Sequence, residues 1–145
     1  MLSKPSETST LADRLAEYSA TIDAIPLGSL GILVEAIRAV PPGRTVYIAG
    51  NGGSCANAAH LMLHLREVGV RAVDLSSDVA WLTATANDHS YAEVFSKSLE
   101  FQRAFVGDLL IVISGSGDSP NIIMALAKAK QLWVGKWGLL GFQGG

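Results

Sequence analysis

The feature that most constrains this chain is a pattern that occurs twice: an apolar β-rich run, a loop of small residues, then a helical stretch. Thr45–Ala49 leads directly into Gly50-Asn51-Gly52-Gly53-Ser54, and a helix is expected over Ala56–Val68. Asp108–Ile113 leads into Ser114-Gly115-Ser116-Gly117-Asp118-Ser119, and a helix is expected over Pro120–Gln131, with proline suited to its first turn. Further strands are expected over Val70–Leu75 and Trp133–Phe142, with helical segments over Asp78–Asn87 and Tyr91–Phe105. Strands alternating with helices predict an α/β fold, a three-layer doubly wound sheet with parallel strands.

In an open parallel sheet, a loop that follows a strand and opens a helix lies at the carboxyl edge, where ligands bind. Gly52 and Gly53 permit a tight turn and close approach of backbone to ligand. Each following helix offers unpaired N–H groups and the positive end of its dipole. The hydroxyls of Ser54, Ser114, Ser116 and Ser119 add donors, and the whole set suits a phosphate ester. One such turn is more often structural than functional; two of them, both rich in serine, shift the balance towards an anion site. Neither loop continues as Gly-Lys-Ser/Thr, and no third glycine completes a dinucleotide fingerprint, so a nucleotide is disfavoured.

On the first of these helices His60 and His64 are four residues apart, which puts both imidazoles on one face where they could share a metal. The alternative is a pair of surface or satisfied core histidines. Asp88, following Asn87, is a candidate for binding sugar hydroxyls, or else simply ends a helix.

Ahead of the first strand, Thr10 and Asp13 offer an N-cap, and Leu11, Leu15, Tyr18, Ile22 and Ile25 recur at spacings of four and three. That narrow apolar seam ends at Pro26, and a second helix is expected over Ser29–Val40 before Pro41-Pro42-Gly43. Seams this narrow are how helices meet across subunits, so a homo-oligomer is expected. The organisation anticipated is residues 1–42 as tail and helices and 43–145 as the ligand-binding part of a single domain. The 145 residues suffice for one domain. A net charge of −2 argues against a general nucleic-acid binder, though not against a small anion. No apolar run approaches the ~18 residues of a membrane span, residues 1–10 lack the apolar block of a signal peptide, and Cys55 is the single cysteine. No membrane association and a reducing, cytoplasmic location are therefore expected.

At these residues the sequence resembles the sugar-isomerase (SIS) family and, within it, the bacterial phosphoheptose isomerases. Gly50-Asn51-Gly52-Gly53-Ser54, with Ala58 and His60, resembles the motif G-N-G-G-S-x-x-x-A-x-H. Leu82–Ala84, Ala86–Asp88 and Glu93–Ser96 resemble the family's middle segment, and Ile113–Asn121 its second loop, I-S-x-S-G-N-S. Gly141–Gly145 is similar to the family's G-x-x-G-G. The resemblance implies a flavodoxin-like SIS fold and isomerisation of sedoheptulose 7-phosphate to an aldose phosphate. It implies tetramers with sites at subunit contacts, and zinc in some members. Carried over by position, Ser54, Ser114, Ser116 and Ser119 would hold phosphate, Asn51 and Asp88 would orient the sugar, and His60 would ligate metal.

Three departures stand against that pattern. His64 occupies the place of a glutamate that serves the family as base and ligand; the loop Arg66–Arg71 is short and poor in the usual arginines; and the family continues beyond the last residue here with a strand and a helix carrying a second catalytic histidine. With His64 as base and His60 assisting, the chain is expected to be an isomerase. The alternatives are a non-catalytic SIS module that binds a sugar phosphate or a protein partner, as one replication-initiator-associating relative does, and a shortened form of a longer enzyme.

Overall fold

The computed structural model describes residues 10–141. The expected tail over residues 1–9, and the Phe142–Gly145 part of the terminal motif and final strand, lie outside the described residues. The chain divides into two compact units, one ending at Glu35 and one starting at Ala36. That division falls inside the second helix.

The first unit holds α1 (Leu11–Asp23) and most of α2 (Leu27–Arg38). Thr10 caps α1 through a reciprocal box: its Oγ1 accepts from the Asp13 N–H at 3.2 Å, and Asp13 Oδ2 accepts from the Thr10 N–H at 2.7 Å. None of the residues of α1 is buried, and the seam of Leu11, Leu15, Tyr18 and Ile22 is exposed. α2 starts at Leu27, sooner than the expected Ser29, because the Pro26 carbonyl accepts the N–H groups of Ser29 and Leu30.

The second unit is built on four parallel strands, β1 (Val46–Gly50), β2 (Ala72–Asp74), β3 (Leu109–Ser114) and β4 (Gly135–Leu140), in the order β2-β1-β3-β4. This is the doubly wound, flavodoxin-like order. β1 is buried on both faces, which explains its unbroken apolar run. α3 (Gly53–Glu67) crosses from β1 to β2, while α4 (Val79–Asp88), a 3₁₀ turn at Tyr91–Glu93 and α5 (Val94–Phe101) lead back to β3, and α6 (Pro120–Gln131) crosses to β4. Right-handed crossovers in opposite directions from β1 put α3 on one face and α4, α5 and α6 on the other. On that second face Tyr47, Ala49, Leu110 and Val112 pack with Val94, Phe95, Leu99, Ile122, Ala125 and Ala129 in one core.

Two further boundaries differ from expectation for reasons visible in the backbone, besides the shorter β2 and the earlier start of α3. Tyr91–Phe105 is not one helix: α5 stops at Phe101, and Arg103 turns the chain at φ 55°. Buried Asp108 then receives the N–H groups of Thr45 (2.8 Å) and Phe105 (2.9 Å), which fixes where β3 starts beside β1. α6 ends by placing Trp133 at φ 57°, with the Val134 N–H donating back to the Ala129 carbonyl, so β4 starts at Gly135 and not at Trp133. Among the described residues no single helix is long and apolar enough to cross a membrane.

Candidate functional site

β1 and β3 are direct neighbours in register, with Gly50 opposite Ile113, so the loops that follow them leave the same edge of the sheet side by side. The first loop is shorter than the sequence suggests because it merges with the helix. α3 starts at Gly53, and the carbonyls of Asn51 and Gly52 accept the N–H groups of Ser54 and Cys55 at 3.0 Å each. Two glycines are obligatory here. A Cβ on Gly50 would stand 2.6 Å from the Ser54 carbonyl oxygen, and Gly52 holds φ 54°, ψ −120° at the N-cap, a conformation only glycine adopts at low cost. No side chain caps α3, and no acidic residue occupies the first turn of α3 or of α6. The positive ends of both helix dipoles are left for an anion.

The second loop is folded by its own hydroxyls. Buried Ser114 accepts the Gly117 N–H at 3.1 Å, and exposed Ser116 accepts the Asp118 N–H at 3.3 Å. Ser119 occupies the N-cap of α6 with Pro120 after it, and its hydroxyl makes no cap hydrogen bond. The end of β4 borders this loop through the Gly141 N–H, which donates to the Ser114 carbonyl at 3.0 Å.

A pair of carboxamides laces the two loops together. Asn51 Nδ2 donates to Asn121 Oδ1 at 2.9 Å, and Asn121 Nδ2 donates to Asn51 Oδ1 at 2.8 Å. The Tyr91 hydroxyl adds a third bond, to Asn51 Oδ1 at 3.0 Å. Because Tyr91 lies three residues beyond Asp88, the segment carrying that carboxylate is tied to the first loop; Asp88 itself is exposed and accepts from Asn87 Nδ2 at 2.9 Å. Asn121 and Tyr91 had no assigned role in the sequence reading. Asn121 stands there only at the end of the segment Ile113–Asn121, and nothing in spacing could show that it meets a residue 70 positions earlier.

His60 and His64 meet as expected from their spacing, with Nε2 to Nε2 at 3.0 Å and rings tilted by 42°. On its other side His64 Nδ1 lies 2.8 Å from Glu67 Oε2, a partner that the sequence reading did not single out. The carboxylate only accepts, so a neutral His64 carries its proton on Nδ1 and presents the Nε2 lone pair to the His60 N–H. Both imidazoles are on the exposed side of α3, whereas Ala58 and Leu65 are buried. Zinc centres take three or four protein ligands. Among the described residues no group of three His, Cys, Asp or Glu side chains could hold a metal.

The SIS domain is matched over residues 28–135. Phosphoheptose isomerase 2 of Campylobacter jejuni is 36% identical over 118 residues, 77% of this chain and 58% of that protein. A phosphoheptose isomerase of Helicobacter pylori is 42% identical over 106 residues, 69% of this chain and 55% of that protein. The chain thus spans between half and two thirds of the length of these curated relatives. The solved structure of phosphoheptose isomerase from Neisseria gonorrhoeae matches with a TM-score of 0.76 at 32% identity, over 94% of this chain and 78% of that one. Sequence motif, strand order and the matched domain lead to one assignment: the chain belongs to the SIS domain family, alongside the phosphoheptose isomerases.

Proposed function

We propose that this chain binds a sugar phosphate across the two laced loops and acts as a phosphoheptose isomerase-like ketose–aldose isomerase on sedoheptulose 7-phosphate. The observation that carries the reading is the junction of the loops: two helix N-termini without acidic caps, with Ser54, Ser114, Ser116 and Ser119, leave neighbouring strands at one sheet edge. Such an arrangement suits one dianionic group. Asn51 and Asp88 then serve the sugar. From Gly53 to His60 the helix axis advances about 10 Å at ~1.5 Å per residue. That separation is of the order of an extended heptose, so a phosphate held at the loops leaves C1 and C2 towards the histidines.

The isomerisation moves a proton between C1 and C2 through an enediol, which needs a base of suitable pKa near neutrality. His64 is the candidate: Glu67 holds Nδ1–H, and Nε2 becomes available as the base once the His60 N–H that it accepts turns away to the substrate. A metal at this place would need ligands beyond His60 and His64. A homo-oligomer, tetrameric by the resemblance, belongs to the same reading and is supported by the exposed apolar seam of α1. So do a cytoplasmic location and the lack of nucleic-acid and membrane partners.

A second reading, a non-catalytic module that binds sugar phosphate or a protein, is favoured by one observation: His64 replaces the expected glutamate and its side chain is 58% exposed. One experiment separates the two. The protein is incubated with sedoheptulose 7-phosphate, with and without zinc, and aldose phosphate is measured beside calorimetric binding. Turnover that falls at least a hundredfold in His64→Ala with binding retained supports the isomerase, in line with the 10²–10⁴-fold worth of a general base. Binding without turnover supports the module, and no binding at all overturns both.

A further inference from the structure

The carboxamide of Asn51 is where three segments meet, and its hydrogen-bonding capacity is nearly used up. A carboxamide oxygen has two lone pairs. On Asn51 both are taken, by Asn121 Nδ2 at 2.8 Å and by the Tyr91 hydroxyl at 3.0 Å. Its nitrogen has two hydrogens, and one is given to Asn121 Oδ1 at 2.9 Å. What remains of Asn51 for a ligand is a single N–H. A sugar hydroxyl seeking an acceptor finds none there, while a phosphoryl oxygen, or a sugar oxygen acting as acceptor, finds a donor. Asn121, which fixes this orientation, is 2% exposed, so the donor is set from beneath the loop by a side chain out of reach of solvent. The same pair fastens the loop after β1 to the first turn of α6, and hence to the second loop.

We infer that Asn121 and Tyr91 are positioning residues: they hold Asn51 as a pure hydrogen-bond donor to a ligand oxygen and lock the first loop against the second. The inference rests on the sugar-phosphate reading for its ligand, but the lock itself can be measured without one. It also refines the part given to Asn51, which acts on an oxygen acceptor of the sugar phosphate and not on a hydroxyl proton.

The test compares the full-length chain with Asn51→Ala, Asn121→Ala, the double variant and Tyr91→Phe. Calorimetry with inorganic phosphate and with sedoheptulose 7-phosphate reads affinity, and amide hydrogen exchange over residues 51–55 reads the lock. Each alanine variant is expected to bind about tenfold more weakly, as for one lost charge-assisted or buried hydrogen bond. The double variant is expected to bind no more weakly than the singles, because the pair acts as a unit. Tyr91→Phe keeps the ring at a half-exposed position, so its Tm stays at the wild-type value while affinity falls severalfold. Wild-type affinity in Asn121→Ala and Tyr91→Phe, or losses that multiply in the double variant, would overturn the inference. If the unaltered chain binds neither ligand, the sugar-phosphate reading fails on its own. The lock is then decided by exchange: amides of residues 51–55 opening about tenfold faster in Asn121→Ala uphold it, and unchanged rates reject it.

Discussion

The two loops do the same job by different means. After β1 the turn is made by absence: Gly50 leaves room for the Ser54 carbonyl, Gly52 takes a backbone angle denied to other residues, and no side chain caps the helix. After β3 the turn is made by presence: Ser114 and Ser116 each accept an N–H from within the loop, with Gly117 at φ 79° closing it. The first loop exposes backbone and the second is latched by hydroxyls. The lesson is that similar strings of small residues fail differently, the first by steric clash and the second by loss of a hydrogen bond.

That contrast can be broken most violently at Gly50. In Gly50→Ala the new methyl meets the Ser54 carbonyl oxygen and carbon at 2.6 and 2.7 Å, backbone atoms that cannot yield as a flexible side-chain tip would. A loss of about 2–3 kcal/mol and a Tm lowered by roughly 5–10 °C are expected, with phosphate binding abolished. Thermal melts and phosphate titration check both. A near-wild-type melt would show that the first loop is not sterically determined.

Ser114→Ala is the matching cut in the second loop. It deprives the Gly117 N–H of its partner, and about 1 kcal/mol is expected from denaturant melts, with phosphate affinity lowered roughly fivefold. A loss as large as that of Gly50→Ala would erase the distinction between the loops.

The gentlest probe is Asp118→Asn. Asp118 brings an exposed carboxylate into a loop read here as holding a dianion, at the position where the resembling motif has asparagine. Exposed charges interact weakly in water, so affinity for inorganic phosphate is expected to rise only about two- to threefold, an effect that fades with added salt. Absence of any salt-dependent gain would place the anion away from the second loop.

Much of this was readable in the chain. β1 and β3 show as unbroken β-rich runs because each is buried on both faces, and α6 has the predicted bounds because proline and the residues ahead of it mark its start. His60 and His64 meet because helical spacing alone brings them together. Other features were hidden for equally physical reasons. The stretch Tyr91–Phe105 keeps helical periodicity past the point where Arg103 reverses the chain, and periodicity carries no information about a backbone that turns at positive φ. Glu67 escaped notice because a carboxylate at a helix end looks like any solvated charge until its distance to His64 is known.

By itself the sequence determined the local grammar of this protein: most of its strands and helices, and that two small-residue turns each open a helix; that the first turn needs glycine at Gly50 and Gly52, and not at Gly53, came from the structure. These are short-range consequences of sterics and burial. Only the tertiary structure decided that the two turns face one another and that Asn51, Tyr91 and Asn121 share a single set of hydrogen bonds. Strand order in a parallel sheet is set by how the crossovers pack, and contacts between residues tens of positions apart leave no period in the chain from which they could be read.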